Sequence, residues 1–99
     1  MAQVDWTEPA LTQMGAIADY IALDNPGAAK RLVARMFSTA EQLIRFPASG
    51  SRIPELSASS PYRQLLVNPC RIIYRLNGNR VMIVHVLRHE QLLRSEFLF

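Results

Sequence analysis

Apolar residues recur at three- to four-residue intervals through the first half of the chain, with one interruption at residues 23–25. This period is typical of amphipathic helices that bury one face. Thr7 offers an N-cap before the first stretch, and Asn25 with Pro26 offers the same signal before the second. Pro47 ends the second stretch. We therefore predict an antiparallel helical hairpin with core stripes at Leu11, Met14, Ile17 or Ala18 and Ile21, and at Ala29, Leu32 or Val33, Met36, Ala40, Leu43 and Ile44.

The second half of the chain shows the two-residue alternation that is typical of strands. The dipeptide NP at 68–69 and the tripeptide NGN at 77–79 supply turns between them. Residues 47–61 contain three Pro, one Gly and five Ser, which indicates a long loop without regular structure. The segment AQVDW near the N-terminus also alternates. We predict strands at Gln3–Trp6, Tyr62–Val67, Cys70–Leu76 and Arg80–His89.

These elements predict an α+β fold: an N-terminal α-helical hairpin packed on a small three- to four-stranded antiparallel sheet, in a single domain of residues 1–99. Side chains alternate along the last two strands, which gives the sheet two different faces. The apolar face should pack on the helices, and the arginine-lined face resembles a docking site. The apolar face carries Cys70, Ile72, Tyr74, Leu76, Val81, Ile83, His85 and Leu87; the other carries Arg71, Ile73, Arg75, Arg80, Met82, Val84, Val86 and Arg88.

Charge and composition narrow the class of protein. The formal net charge is +3, with ten Arg and one Lys against eight acidic residues. Arg binds carboxylate and phosphate in bidentate fashion, so this balance favours an anionic partner. Cys70 is the single cysteine, the N-terminus lacks a secretory pattern, and the longest apolar run, Val81–Leu87, is too short to cross a bilayer. We expect a soluble cytoplasmic protein that does not bind membranes.

Few residues offer metal or covalent chemistry. A zinc site needs three or four ligands, and one Cys with two His does not supply them, so we expect no metal and no cofactor. Cys70 and His85 fall on the same predicted face, but that face is core, where a thiol is inert. Arg88 and His89 could stabilise a pentavalent phosphate and accept the proton of a ribose 2′-OH. RNA cleavage therefore stays open.

An ordered set of motifs runs through the predicted helices, loop and strands: Trp6-Thr7 with Ala10, Ile17, Tyr20-Ile21, Asn25-Pro26, Ala28-Ala29, Pro47, Gly50, Arg52, Pro54-Glu55-Leu56, Arg63, Arg71-Ile72-Ile73-Tyr74-Arg75, Val81, Ile83 and Val86. Through this set the chain resembles the ParE toxins of the ParE/RelE superfamily, found in type II toxin–antitoxin operons of the plasmid-stabilisation type. The resemblance implies a helical hairpin on a small antiparallel sheet. It also implies a ParD-like antitoxin whose disordered C-terminal segment wraps the toxin and buries the arginine-rich sheet face and the helical hairpin.

Such antitoxin segments are acidic and apolar, which suits the arginine-lined face. We therefore expect an antitoxin complex, and contact with operator DNA only through the antitoxin. The antitoxin-binding residues expected from the resemblance are Arg63, Arg71, Ile73, Arg75, Met82 and Val84.

The two branches of the superfamily imply different targets. The ParE branch poisons DNA gyrase and needs no catalytic residue, and the NPxAA helix start and the RIPEL loop favour it. The target-binding residues would then be Arg88, His89, Leu93, Arg94 and Phe97. The RelE-like branch cleaves mRNA on the ribosome, and the catalytic residues would then be Arg63, Arg71, Arg88 and His89. A third alternative is a degenerate member that binds antitoxin without being toxic.

Overall fold

The computed structural model describes residues 1–98, except for the side chains of Ser95 and Phe97. Its helices and strands agree with the sequence prediction to within one residue, which confirms the α+β class. No described helix is long and apolar enough to cross a membrane. The elements in chain order are β1 Gln3–Trp6, α1 Glu8–Ala22, α2 Pro26–Arg45, β2 Tyr62–Val67, β3 Cys70–Asn77, β4 Arg80–Arg88 and a 3₁₀ helix Ser95–Leu98.

Both helices begin at the predicted caps. The Thr7 hydroxyl accepts a hydrogen bond from Ala10 N at 3.4 Å and donates one to the backbone oxygen of Ile83 at 2.8 Å. The Asn25 side chain accepts from Ala28 N at 3.0 Å. These bonds satisfy backbone donors that the first turn of a helix leaves free. The Thr7 bond to β4 also fixes the first helix against the sheet.

The sheet has the strand order β1-β4-β3-β2. Strands β2, β3 and β4 are antiparallel as predicted, whereas β1 pairs with β4 in parallel, from Gln3 opposite Arg80 to Trp6 opposite Ile83. The sheet is therefore mixed. Side chains alternate in the same way in parallel and antiparallel strands, so the sequence pattern did not reveal the direction of this pair.

The main core lies between the helices and the sheet face that they cover, which we call the helix side. The largest fully buried side chains there include Leu32, Met36 and Leu43 of α2 and Ile72 and Tyr74 of β3. Periodicity predicted four of them as core and Leu32 as one of two alternatives, whereas Leu11, also predicted as core, is 40% exposed. The opposite sheet surface, which we call the second face, carries a separate apolar cluster.

A register shift between Ile73 and Tyr74 changes the predicted faces of β4. Ile73 lies opposite His85 and Tyr74 lies opposite Ile83, so Val84 is an extra residue on β4. An extra residue reverses the alternation of every side chain beyond it. The predicted faces were therefore wrong for four residues. Val86 and Arg88 pair with residues of the helix side, and His85 and Leu87 pair with residues of the second face.

Candidate functional site

The second face is covered by the chain's own loop, residues 46–61, and by its tail, residues 89–98. Ile53 of the loop and Leu93 of the tail pack against Ile73 and Leu87 of the sheet, and all four are buried. The sequence predicted an open docking surface here. That prediction was wrong for the part of the face around Ile73. Loop and tail have no periodic pattern that would have indicated where they lie.

Arg71 lies at the centre of this covered region, and its side chain is 7% exposed. Its Nη1 and Nη2 donate to the two carboxylate oxygens of Glu55 at 3.0 and 2.7 Å. Nη1 also donates to Gln64 Oε1 at 3.1 Å, and Nη2 to the backbone oxygen of Gln91 at 2.8 Å. Its Nε is buried without an acceptor among the described residues. Arg71 therefore binds the loop, strand β2 and the tail at once, and it is not open to a partner protein.

Glu55 completes this network, and its side chain is 19% exposed. Its Oε2 accepts the backbone N–H of Leu93 at 2.9 Å as well as the bond from Arg71. The hydrogen bonds from Arg71, opposed by burial and supported by the Leu93 bond, lower the pKa of Glu55 to about 2. Glu55 is therefore ionised at neutral pH. It belongs to the motif Pro54-Glu55-Leu56 that carried the family resemblance, but no sequence pattern indicates that it pairs with Arg71.

The other predicted antitoxin-binding residues are dispersed. Arg75 is exposed, its guanidinium 5.9 Å from the centre of the Tyr62 ring, and Met82 opposite it is half-buried. Val84 packs on the covered cluster. Arg63 pairs with a residue of the helix side and donates to the backbone oxygen of Gly50 at 3.0 Å. The end of the second face with Arg75 and Met82 is accessible in this conformation, and so is Leu66, which pairs with Arg71 and is 57% exposed.

Gly50 and Tyr74 fix the start of the loop, a contact that sequence analysis missed. The Tyr74 hydroxyl donates to the backbone oxygen of Pro47 at 2.9 Å and accepts from Gly50 N at 2.9 Å. A Cβ at position 50 would come within 2.6 Å of the Tyr74 ring and hydroxyl. Burial raises the pKa of Tyr74, so the phenol stays protonated and keeps its donor. Glycine, which has no Cβ, is therefore the residue that fits at position 50 without moving Tyr74 or the loop.

The four residues named for RNA cleavage lie in different places. Arg71 is buried on the second face, and Arg63 and Arg88 pair with residues of the helix side. Arg88 Nε lies 3.1 Å from Glu90 Oε1, and its guanidinium is 5.9 Å from the centre of the Tyr20 ring. His89 is exposed in the turn after β4. The structure therefore does not bring these four side chains to one site.

The bulge also separates Cys70 from His85, which were predicted on one face. Cys70 is buried on the helix side, where burial raises the pKa of its thiol. His85 Nδ1 lies 2.9 Å from Gln13 Nε2, and burial together with the charge of Arg71 lowers its pKa. In the described part of the chain, no group of three or more His, Cys, Asp or Glu side chains could hold a metal ion.

Two adjoining open pockets, which share Tyr20 and Ile21, line the C-terminal half of α1 and the turn after it, and we call them together the groove. Tyr20 is 67% exposed and lines both pockets, whereas Leu23, at 85%, lines one of them and Arg88 and Pro69 line the other. Tyr20 and Leu23 lie off the buried stripe of α1. An exposed Tyr beside an exposed Leu is a signal that could have identified this surface.

The residues of the tail that were predicted to bind the target differ in how exposed they are. Leu93 is 4% exposed and belongs to the covered cluster, whereas its neighbour Leu92, which was not singled out, is 75% exposed. Arg94 is exposed and lies 3.7 Å from Glu96. The side chain of Phe97 lies outside the described residues. The surface of the tail is therefore formed by Leu92 and Arg94, and Leu93 is buried beneath it.

Comparisons with known proteins agree with this architecture. The sequence model of the ParE toxin of the type II toxin–antitoxin system parDE matches residues 4–93. The protein named Toxin RelE2 of Caulobacter vibrioides is 37% identical over 90 residues, which are 89% of this chain and 92% of that relative. Y4kP of Sinorhizobium fredii is 33% identical over 89 residues, or 90% of this chain and 91% of the relative.

A solved structure described as the chromosomal ParDE TA system from P. aeruginosa has the same fold. It superposes with a TM-score of 0.73 at 26% identity, covering 91% of this chain and 98% of that chain. The family match spans almost every element described above, from β1 to the buried part of the tail. The chain is therefore a toxin of a type II toxin–antitoxin system and belongs to the ParE toxin family.

Proposed function

We propose that this toxin inhibits DNA gyrase by binding it, and that a ParD-like antitoxin silences it. The observation that carries the proposal is the dispersal of Arg63, Arg71, Arg88 and His89 over both sides of the sheet. Binding to a target protein needs an exposed surface, whereas cleavage of RNA needs several side chains that converge on one phosphate. Gyrase and the antitoxin would both meet the toxin in the cytoplasm.

The distances within the sheet argue against convergence. The pairing partners of Arg63 and Arg88 are Tyr74 and Cys70, four residues apart on β3, which corresponds to about 13 Å. Arg71 is engaged by Glu55 and lies on the opposite face. A catalytic arginine with both terminal nitrogens bound to a carboxylate is poorly placed to stabilise a phosphorane. These features favour a protein that acts by binding.

The antitoxin would bind two accessible surfaces, each of which suits a disordered segment with acidic and apolar residues. The groove beside Tyr20 and Leu23 offers apolar area, with Arg88 at its edge. The open end of the second face offers Arg75 next to Met82. Charged rim contacts steer such a segment, and the apolar contacts hold it. The ParDE structure that superposes on this chain supports a partner of the antitoxin class.

The target would be bound through the region after β4. His89, Leu92 and Arg94 are exposed there, together with half-buried Arg88. This short segment offers apolar contact from its leucine and charge steering from its arginine. Leu93 contributes by holding this segment on the sheet.

A gyrase supercoiling and cleavage assay with purified toxin, with and without its antitoxin, tests the proposal. Inhibition of supercoiling or trapped cleaved DNA, reversed by antitoxin, is the expected result. Unchanged gyrase activity at high toxin excess would refute it. Induction in cells gives a second readout: filamentation with DNA-damage signalling is expected, whereas prompt arrest of translation would point to mRNA cleavage and unaffected growth to a toxin without activity.

A further inference from the structure

The Arg71 network holds the tail at two backbone atoms. The carbonyl oxygen of Gln91 accepts from Arg71 Nη2 at 2.8 Å, and the N–H of Leu93 donates to Glu55 Oε2 at 2.9 Å. These atoms lie on either side of Leu92. Fixing both of them fixes the direction in which the backbone of residue 92 turns. Leu93 then packs inward, and Leu92 is left 75% exposed.

Burial of such an ion pair is an inefficient way to gain stability. Desolvating both charges offsets most of their attraction, and apolar residues of similar volume hold a fold equally well or better. Arg71 also leaves its Nε without an acceptor among the described residues, which adds to the cost. The network does provide what apolar packing lacks, namely directional bonds to particular backbone atoms of the tail.

We propose that Arg71 is a positioning residue: acting with Glu55, it sets the path of residues 91–93 so that Leu92 faces outward as a contact for the target protein. Arg71 itself then touches neither the target nor the antitoxin. This inference rests on the proposed function, in which the exposed part of the tail binds the target.

The double variant Arg71→Met with Glu55→Leu separates the effect of the pair on the position of the tail from its effect on the stability of the fold. It replaces the ion pair by apolar side chains and removes both bonds to the tail backbone. The matched control is Arg80→Met with Asp5→Leu, because Arg80 and Asp5 form an exposed pair on the same sheet, 3.5 Å apart. Thermal unfolding, amide hydrogen exchange by NMR and gyrase inhibition are measured on the full chain. A single variant, Glu55→Gln, serves if the double variant does not fold.

We expect exchange at the Leu93 amide to rise about tenfold or more, the equivalent of losing one charge-assisted hydrogen bond, with exchange in Pro26–Arg45 unchanged. The toxin concentration for half-inhibition should rise about tenfold as well, even where the unfolding midpoint is kept. Leu92→Ala should produce the same loss of inhibition without any change in exchange. The control pair should match the wild type in all three readouts.

Two results would overturn the inference. Unchanged exchange at Leu93 would mean that Arg71 and Glu55 do not hold the tail. Faster exchange with full inhibition would mean that the position of the tail does not matter for the target. If the wild-type toxin itself leaves gyrase unaffected, the proposed function fails. The role of Arg71 is then decided by two other measurements on the same variants: hydrogen exchange at the Leu93 amide and the growth arrest that each variant causes in cells.

Discussion

The two sides of the sheet are built on different principles. On the helix side, regular elements bury Leu43, Ile72 and other apolar side chains in one continuous core. On the second face, irregular segments are held by a carboxylate, a guanidinium and a small apolar cluster around Ile73. The helix side supplies the stability of the fold. The second face supplies the position of the loop and the tail, which are the parts that vary most easily.

This difference between the two sides indicates which substitutions should change stability and which should change the position of the tail. Apolar packing tolerates changes of side chain when volume is kept, whereas a hydrogen-bonded ion pair requires particular atoms. Substitutions on the helix side should therefore change stability first and activity only as a consequence. Substitutions at Arg71 and Glu55 should alter the position of the tail more than the packing of the helix side.

Leu43→Ala should have the largest effect, because Leu43 is fully buried at the centre of the helix side. We expect the free energy of unfolding to fall by about 2–5 kcal/mol, from lost apolar burial and the cavity that remains. Urea denaturation at pH 7 measures it. A matched exposed position is Leu11 on α1, which is 40% exposed, so Leu11→Ala should cost clearly less. Equal losses at both positions would contradict the assignment of the core.

Glu55→Gln should lower the free energy of unfolding by about 1.5–3 kcal/mol at pH 7, the value of a hydrogen bond to a charged group. The pKa of Glu55 is lowered from 4.5 to about 2 in the folded protein. A lowered pKa means that the carboxylate stabilises the fold fully above pH 4.5 and loses this contribution as the pH falls from 4.5 towards 2. The difference between wild type and variant should therefore shrink over that window.

The control for this pH dependence is Glu41→Gln, because Glu41 is exposed on α2. Its effect on the free energy of unfolding should be small, because substitutions at exposed positions usually have small effects. Urea denaturation at several pH values compares the two variants. A Glu55→Gln penalty that persists undiminished at pH 2 would show that the ionised carboxylate is not what stabilises the second face.

Gly50→Ala tests the contact that joins the two sides of the sheet. A methyl group would lie 2.6 Å from the Tyr74 ring and 2.8 Å from the backbone oxygen of Gln64, so the loop or the strand must move. We expect a loss of about 1–3 kcal/mol, typical of overpacking, measured by thermal unfolding. Gly15→Ala on α1 is the control, since no atom lies within 4 Å of the added Cβ and alanine favours a helix. It should be neutral or stabilising.

Leu92→Ala should have the smallest effect on stability, within about 0.5 kcal/mol, because Leu92 is exposed. Its buried neighbour gives the contrast: Leu93→Ala should be clearly destabilising and should loosen the tail. Inhibition of gyrase is the second measurement, and we expect both variants to reduce it. Full inhibition by a stable Leu92→Ala protein would remove this residue from the target-binding surface.

The helix side could be predicted from sequence because each of its elements carries its own local signal. Thr7 and Asn25 mark the helix starts, and the three- and four-residue spacing marks the buried stripes. The bulge at Val84 could not be predicted, because a single unpaired residue leaves no trace in an apolar strand. It moved Arg88 to the helix side and separated Cys70 from His85.

The candidate site was predicted only in part, because its contacts join residues that are far apart in the sequence. Arg71 was recognised as important, but its partner Glu55 lies in a loop without periodicity, and an ion pair between distant residues has no local pattern. The alternation that buries Leu93 and exposes Leu92 depends on the same pair. The exposure of Tyr20 and Leu23 could not be read from the periodicity, because a three- to four-residue spacing identifies the buried stripe of a helix and says nothing about which apolar residues off that stripe stay uncovered.

The parallel pairing of β1 with β4 has a consequence for the synthesis of the toxin. The first strand pairs with the last one, from Gln3 opposite Arg80 to Trp6 opposite Ile83, and Gln3 N donates to the backbone oxygen of Asn79 in the turn just before β4. A nascent chain emerges from its N-terminal end and grows by about 5–20 residues per second. Residues 3–6 therefore stay unpaired while the helices, the loop and two strands are made. The β1–β4 pair therefore closes only after β4 has been made, and a chain that stops before β4 leaves β1 without its strand partner.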